Sequence, residues 1–442
     1  MKPAFRRSFV VLVLAMLLAA PALASAQAFR DDDISRGRSM LDAIRKDIKK
    51  NYYDPAFHGI DVDARFKQAD AQIQKATSNG EIFGIIAQTL VDFHDSHLYF
   101  IPPSRSARVE YGWRMRMIGD HCYVIAVKPG SDAAAKGLKP GDEVYSVDGF
   151  QPDRENFWLL AYLFYTLRPK SVLDVVIKMP DNQPHELQIA ANVRKEKRVL
   201  NLDSEDGSDL NQLERDSEND AQLDRHIYVK AGEDALIWKM PAFDLGRAQV
   251  DDMMDEARRH KALIIDMRGN GGGREETMLR LIGNLFDKPI TVGTIKRRTE
   301  SKPLVAETRG GDKVFKGQVV VLVDSRSGSA AELVARVLQI EKRGTVIGDR
   351  SAGAVMRSKS NTYRWGIDTI VFYGASITDG DVVMTDGKSL ENTGVTPDVL
   401  MLPTPADLAA NRDPVLAHAF AAVGLKEDPV TAGAMFPVEW AK

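Results

Sequence analysis

The stretch Val321–Ala335, VLVDSRSGSAAELVA, carries the signal that decides the fold. Together with Val319 and Val320, its first residues form a β-branched run of the kind that makes a buried strand. After a turn of small residues, Ala330 to Glu341 reads as a helix. The same alternation recurs through residues 227–442. Strands are expected at Ala235–Trp238, Ala262–Asp266, Thr345–Ile347 and Thr369–Tyr373, and helices at Val250–His260 and Glu275–Phe286. Strands that alternate with helices argue for an α/β domain around a central sheet.

Ser329 stands at the strand-to-helix junction, and two readings fit it. Ser329-Ala-Ala-Glu332 has the spacing of a capping box. The same position puts a hydroxyl beside the unpaired N–H groups and partial positive charge of a helix N-terminus, where an oxyanion could be held. Gly328, Ala330 and Ala331 leave room for a substrate. A second stretch, Leu263–Gly273, LIIDMRGNGGG, runs from a buried strand into a glycine-rich loop. It lacks the spacing of a phosphate-binding loop, and a loop that completes an oxyanion hole fits better than a simple turn. A third, Asp92–Phe100, DFHDSHLYF, offers His94 and His97. Their spacing is poor for a helical zinc site. A histidine there is suited to act as the base for a serine.

The remainder of the chain falls into segments. Lys2, Arg6 and Arg7 precede an apolar run from Phe9 to Ala20, then Ala24-Ser25-Ala26, which together read as a secretory signal over 1–26 with cleavage before Gln27. Export, most simply to a periplasm, is the expectation. No other run approaches membrane length. The single cysteine, Cys122, excludes an internal disulfide and reads as a strand position. Helical periodicity at Arg36–Asn51, Val62–Ala76 and Asn79–Phe93 marks a helical N-terminal domain over 27–104. Residues 105–195 are β-rich, with turns at Pro129-Gly130, Pro140-Gly141 and Asp148-Gly149, strands at Tyr123–Val127, Ser171–Lys178 and His185–Ala190, and helices at Ser131–Lys136 and Arg154–Thr166. Residues 196–226 are an acidic linker. A formal net charge of −3 and the lack of a basic run give no reason to expect nucleic acid.

These motifs together resemble the C-terminal processing (tail-specific) serine peptidases and their relatives of the tricorn type. VIAVKPGSDAAAKGLKPGDEVYSVDG is similar to a PDZ domain, which that family carries ahead of its catalytic core. LIIDMRGNGGG, VVVLVDSRSGSAAE and GKSLENTGVTPDV match the core in order, and NYYDPAFHG and HDSHLYF match the N-terminal region. The resemblance implies a multidomain α/β protein with a helical N-terminal domain, a PDZ domain and an α/β peptidase core. It implies Ser329 as nucleophile, with an oxyanion hole from Gly271 or Gly272 together with Ala330.

The chain departs from the tail-specific branch at one point. The lysine of the Ser–Lys dyad aligns with Ala354. Lys342 lies at the far end of the nucleophile's own helix, and Lys359 lies a few residues on. The tricorn-like branch takes a histidine from a Ser–His pair, which Ser96-His97 matches, and an assisting glutamate, for which Glu391 is the candidate. Tyr111, Gly112, Trp113 and Arg114 occupy the place of the PDZ carboxylate-binding loop. The expectation is an exported serine endopeptidase acting on proteins or peptides with exposed C-terminal tails, with no metal or organic cofactor. The sequence leaves the oligomeric state open. The alternatives are a catalytically silent binding protein on the peptidase fold and a PDZ adaptor.

Overall fold

The computed structural model describes residues 31–104, 107–178, 183–195, 225–366 and 371–440. The stretch read as a secretory signal, 1–26, and nearly all of the one read as an acidic linker, 196–226, lie outside the described residues. No helix among the described residues is long and apolar enough to cross a membrane.

The expected central sheet is six-stranded. Its order is Val399–Leu400, Thr345–Gly348, Gln318–Val323, Ala262–Asp266, Ala235–Lys239 and Ile227–Ala231. All neighbours are parallel except the Ile227–Ala231 edge strand, which is antiparallel. The β-branched runs sit in the middle because parallel strands are covered on both faces. Helices Arg247–Ala257, Glu275–Leu285 and Ala330–Ile340 cover one face, and Pro414–Ala422 covers the other. Val321, Leu322 and Val323 are fully buried, and each contributes about 1.5–3 kcal/mol by leaving water.

A second, antiparallel sheet was less legible. Strands Ile290–Lys296, Ser301–Ala306 and Met356–Trp365 carry mixed polar and apolar residues and were not assigned from the sequence. The strand expected at Thr369–Tyr373 runs from Val371 to Met384. It pairs with Met356–Trp365, with Ile290–Lys296 and with the short strand Tyr99–Ile101.

The N-terminal helices form at Asp31–Asn51, Val62–Ile73 and Asn79–Val91. Asp61 and Ser78 cap the second and third. These helices do not close a core by themselves. Met40, Ile44, Ile48, Phe66 and Ile86 pack with Tyr373, Ala375 and Ile377 of the second sheet. The start of the chain is thereby joined to its late part.

Residues 113–190 form an antiparallel five-stranded sheet in chain order: Trp113–Ile118, His121–Val127, Glu143–Val147, Val172–Lys178 and Pro184–Ala190. The helix expected at Arg154–Thr166 is a single α-turn, Phe157–Ala161, continued as a π-helix to Leu167. The edge strand Trp113–Ile118 leans on the central domain. Arg116 pairs with Asp324 at 2.8 Å, and Ser325 Oγ donates to the Met117 carbonyl at 2.6 Å.

Candidate active site

The parallel strands Ala262–Asp266, Gln318–Val323 and Thr345–Gly348 end at one rim of the sheet, where open α/β sheets take ligands. Three loops leave that rim: Met267–Arg274, Asp324–Ser329 and Asp349–Val355. They are tied to one another. Gly328 N–H donates to the Asn270 carbonyl at 2.8 Å, Ala352 N–H to the Ser327 carbonyl at 2.9 Å, and Ser329 N–H to the Ala354 carbonyl at 2.8 Å.

Ser329 adopts φ 52° and ψ −119°. A non-glycine residue pays about 1–3 kcal/mol for such a backbone, so the surroundings must impose it. The capping geometry is met in its carboxylate half. Glu332 accepts from Ser329 N–H at 3.0 Å, while the Ser329 hydroxyl caps no helix N–H. The hydroxyl therefore stays uncommitted to the helix.

The glycine-rich loop packs directly on this serine. A Cβ at Gly272 would lie 2.6 Å from Ser329 Cβ, and Gly272 has φ +104°. Only glycine fits there. Buried Asn270 holds the turn: its Nδ2 donates to the Met240 carbonyl at 2.9 Å, and its Oδ1 accepts Gly272 N–H at 2.8 Å. That bond occupies the Gly272 amide. Gly271 is exposed, and no described residue accepts its N–H. The Ala330 N–H is likewise unengaged at the start of its helix. Of the two glycines named from the sequence, Gly271 is the one whose donor is open.

His97 sits on the turn that precedes strand Tyr99–Ile101. Its Nδ1 is 2.8 Å from Ser96 Oγ, and that hydroxyl also donates to Glu391 Oε2 at 2.9 Å. Glu391 Oε1 accepts Ser96 N–H at 3.0 Å. The histidine, Ser96 and Glu391 thus form one continuous run. Buried Asp95 fixes the turn. It accepts from His97 N–H at 2.9 Å, Thr378 Oγ1 at 2.8 Å and Tyr52 OH at 2.9 Å. Burial lowers the His97 pKa from its ordinary value, and the Asp95 charge partly offsets this. No hydrogen bond among the described residues joins His97 to Ser329.

Two carboxyl groups, buried Glu332 and half-buried Glu391, hold the third loop. Glu332 accepts from Ser329 N–H, Ser351 Oγ, Gly353 N–H and Ala354 N–H. Glu391 accepts from Val355 N–H at 2.8 Å in addition to Ser96. Burial pushes each of them up to about 7, against the hydrogen bonds that favour the charged form. Glu332 was read as a cap alone. Its wider role needed the fold, because its partners lie about twenty residues on in another loop.

The other sequence candidates are placed as follows. Ala354 supplies only backbone groups. Lys342 closes the C-terminal end of the helix that Ser329 begins. Lys359 is 3.8 Å from Asp379, with its side chain 61% exposed. Tyr111 and Trp113 are buried in the core of the five-stranded sheet. Gly112 takes φ +71°, and Arg114 lies 4.7 Å from the ring of Trp440. Among the described residues, no three His, Cys, Asp or Glu side chains converge as a metal site.

The chain is similar to known peptidases. Residues 235–401 match the family model of Peptidase family S41, which marks the segment as a serine-type peptidase domain. A tail-specific protease of Haemophilus influenzae is 26% identical over 299 residues, covering 65% of this chain and 40% of that protein. A putative tricorn protease homolog 2 of Streptomyces coelicolor is 25% identical over 418 residues, covering 88% of this chain and 32% of that protein. The chain thus spans well under half the length of either. Mature CPAF has the same mixed α/β fold: the TM-score is 0.64 at 14% identity, over 86% of this chain and 95% of that one.

Proposed function

We propose that this chain, with its S41 peptidase domain at 235–401, is an endopeptidase of the Ser–His type. Ser329 attacks the peptide carbonyl while His97 takes its proton. The oxyanion is held by the N–H groups of Gly271 and Ala330. The scissile C–N bond then breaks as His97 gives that proton to the leaving amine, and the resulting acyl-enzyme is hydrolysed by water that gives a proton to the now neutral His97. Ser96 and Glu391 act as positioning residues: they fix the imidazole through Nδ1, so that Nε2 is the atom left to accept the proton. His97 must close on Ser329 when substrate binds, as catalytic hydrogen bonds often tighten only in the complex. The sheet at 113–190, read as a PDZ domain, would receive substrate tails by strand addition.

The observation that carries this reading is the run from Glu391 through Ser96 to His97, anchored on Val355, the neighbour of the residue whose carbonyl takes the Ser329 amide. A silent binding protein on the same fold is the second reading, favoured by the open His97–Ser329 pair. Fluorophosphonate labelling with the site mapped by mass spectrometry separates them. Label on Ser329 that is lost in His97→Ala supports the peptidase. A folded chain that takes no label, with or without apolar peptides present, supports the binding protein.

A further inference from the structure

Strand Met356–Trp365 begins where the loop beside Ser329 ends. One of its edges pairs with Val371–Met384, and no described strand pairs with the other. An open edge presents a row of N–H and C=O groups, which is a template for another extended chain. Lys359 and Asn361 fall on one face of this strand, opposite Ile377 and Ala375. That face forms one wall of a cleft of about 380 Å³. Lys50, at the end of the first helix, and the turn residues Arg297 and Arg298 form the other walls.

The cleft is cationic. Its two acids are paired, Asp379 with Arg357 at 2.6 Å and more loosely with Lys359 at 3.8 Å, and Glu300 with Lys302 at 2.9 Å and Arg297 at 3.8 Å. Lys50 and Arg298 have no carboxylate partner among the described residues. Arg298 donates to the Tyr52 carbonyl at 3.1 Å and lies over the Phe57 ring. The buried donor Arg297 Nε has no hydrogen-bond partner, as at a site that an acceptor completes, while the unpaired acceptor Asp379 Oδ1 calls for a donor such as water.

We infer that the open edge of Met356–Trp365 and this cleft select substrate: an extended peptide adds to the edge, and Lys50 and Lys359 hold one of its acidic side chains. The inference rests on the peptidase reading above. At about 3.3 Å per residue, Lys359 lies about 13 Å along the strand from Val355. The acidic side chain therefore sits roughly four residues from the bond that Ser329 attacks.

The test uses the full chain carrying Ser329→Ala and fluorescent peptides that differ only in having two glutamates or two glutamines at that distance. Fluorescence anisotropy at low salt should show the acidic peptide binding about fivefold more tightly. A Lys50→Glu/Lys359→Glu pair should abolish the difference. Both lysines are exposed, and a thermal melt confirms that the variant is folded. Equal binding of the two peptides, or an acidic preference that survives the charge reversal, overturns the inference. Hydrolysis by the chain with Ser329 intact is scored separately. An acidic preference without turnover sinks the peptidase reading and keeps the cleft, whereas turnover without charge preference does the reverse.

Discussion

Glu332 and Glu391 hold adjacent amides of one loop: Ala354 N–H donates to Glu332 at 2.9 Å, and Val355 N–H donates to Glu391 at 2.8 Å. Each carboxylate also grips one half of the candidate machinery, Glu332 the Ser329 amide and Glu391 the Ser96 that holds His97. A two-residue step of backbone thus ties the Ser329 loop to the Ser96–His97 turn.

The strain at Ser329 can be measured. Ser329→Ala keeps a Cβ at φ 52°, whereas Ser329→Gly removes it. The glycine variant should be the more stable of the two by about 1 kcal/mol, and both should be inactive. Equal melting temperatures by calorimetry would mean that the backbone relaxes without its serine.

Ser96→Ala cuts the link between Glu391 and the imidazole. Peptide hydrolysis should fall about 10²–10⁴-fold in kcat with little change in KM, because orientation of the base is lost and not binding. Ser96→Thr keeps a hydroxyl and should restore part of the rate. A KM effect with kcat preserved would assign Ser96 to substrate contact.

His97 has its pKa lowered from 6.5 by burial. A base with a lowered pKa stays neutral further into acid, so the acidic limb of kcat/KM should lie below pH 6.5. An acidic limb above that value would show that the Asp95 charge outweighs burial in the working enzyme.

Glu332 and Glu391 are raised from 4.5 to about 7. Between those values the folded chain keeps protons that the unfolded chain has released. Their contribution to stability is therefore complete below about pH 4.5 and is lost as pH rises through about 7. In melts across this range, Glu332→Gln should flatten the decline seen in the unmodified chain. A decline of unchanged steepness would remove Glu332 as its source.

Arg268 pairs with fully buried Asp266 at 2.8 Å and with Asp413 at 2.7 Å. The Asp266 carboxyl is held far below its usual range by Arg268 and Lys239, against burial. Arg268→Ala leaves buried charge uncompensated and should cost about 3–5 kcal/mol, read from urea unfolding. A loss under 1 kcal/mol would mean that Lys239 suffices alone.

The parts of the fold that follow local rules were readable beforehand. Val319–Val323 and Ala262–Asp266 are apolar enough to be inner parallel strands, and the glycines beside Ser329 mark a close approach. Ser96 and Glu391 follow from the resemblance of the motifs to a family, His97 also from the chemistry of a histidine base, and the fold brings the three together. What stayed hidden is long-range. Nothing local in Asp95, Tyr52 or Thr378 tells that they meet, nor that Glu332 would reach Ser351 and Gly353. Strand Met356–Trp365 was missed because its exposed, polar pattern reads as loop. The Gly272 amide is tied up by an asparagine side chain two residues back, a detail of rotamer that spacing does not encode.

The joining of the early helices to the late sheet has a bearing on biosynthesis. Ser96 and Glu391 are 295 positions apart. At about 5–20 residues per second, a ribosome needs about 15–60 s to travel from one to the other. Through that interval Ser96 and His97 lack the Glu391 carboxylate, and Ser329 too is made before it. On the proposed mechanism, the machinery is therefore completed only when nearly all of the chain has been made.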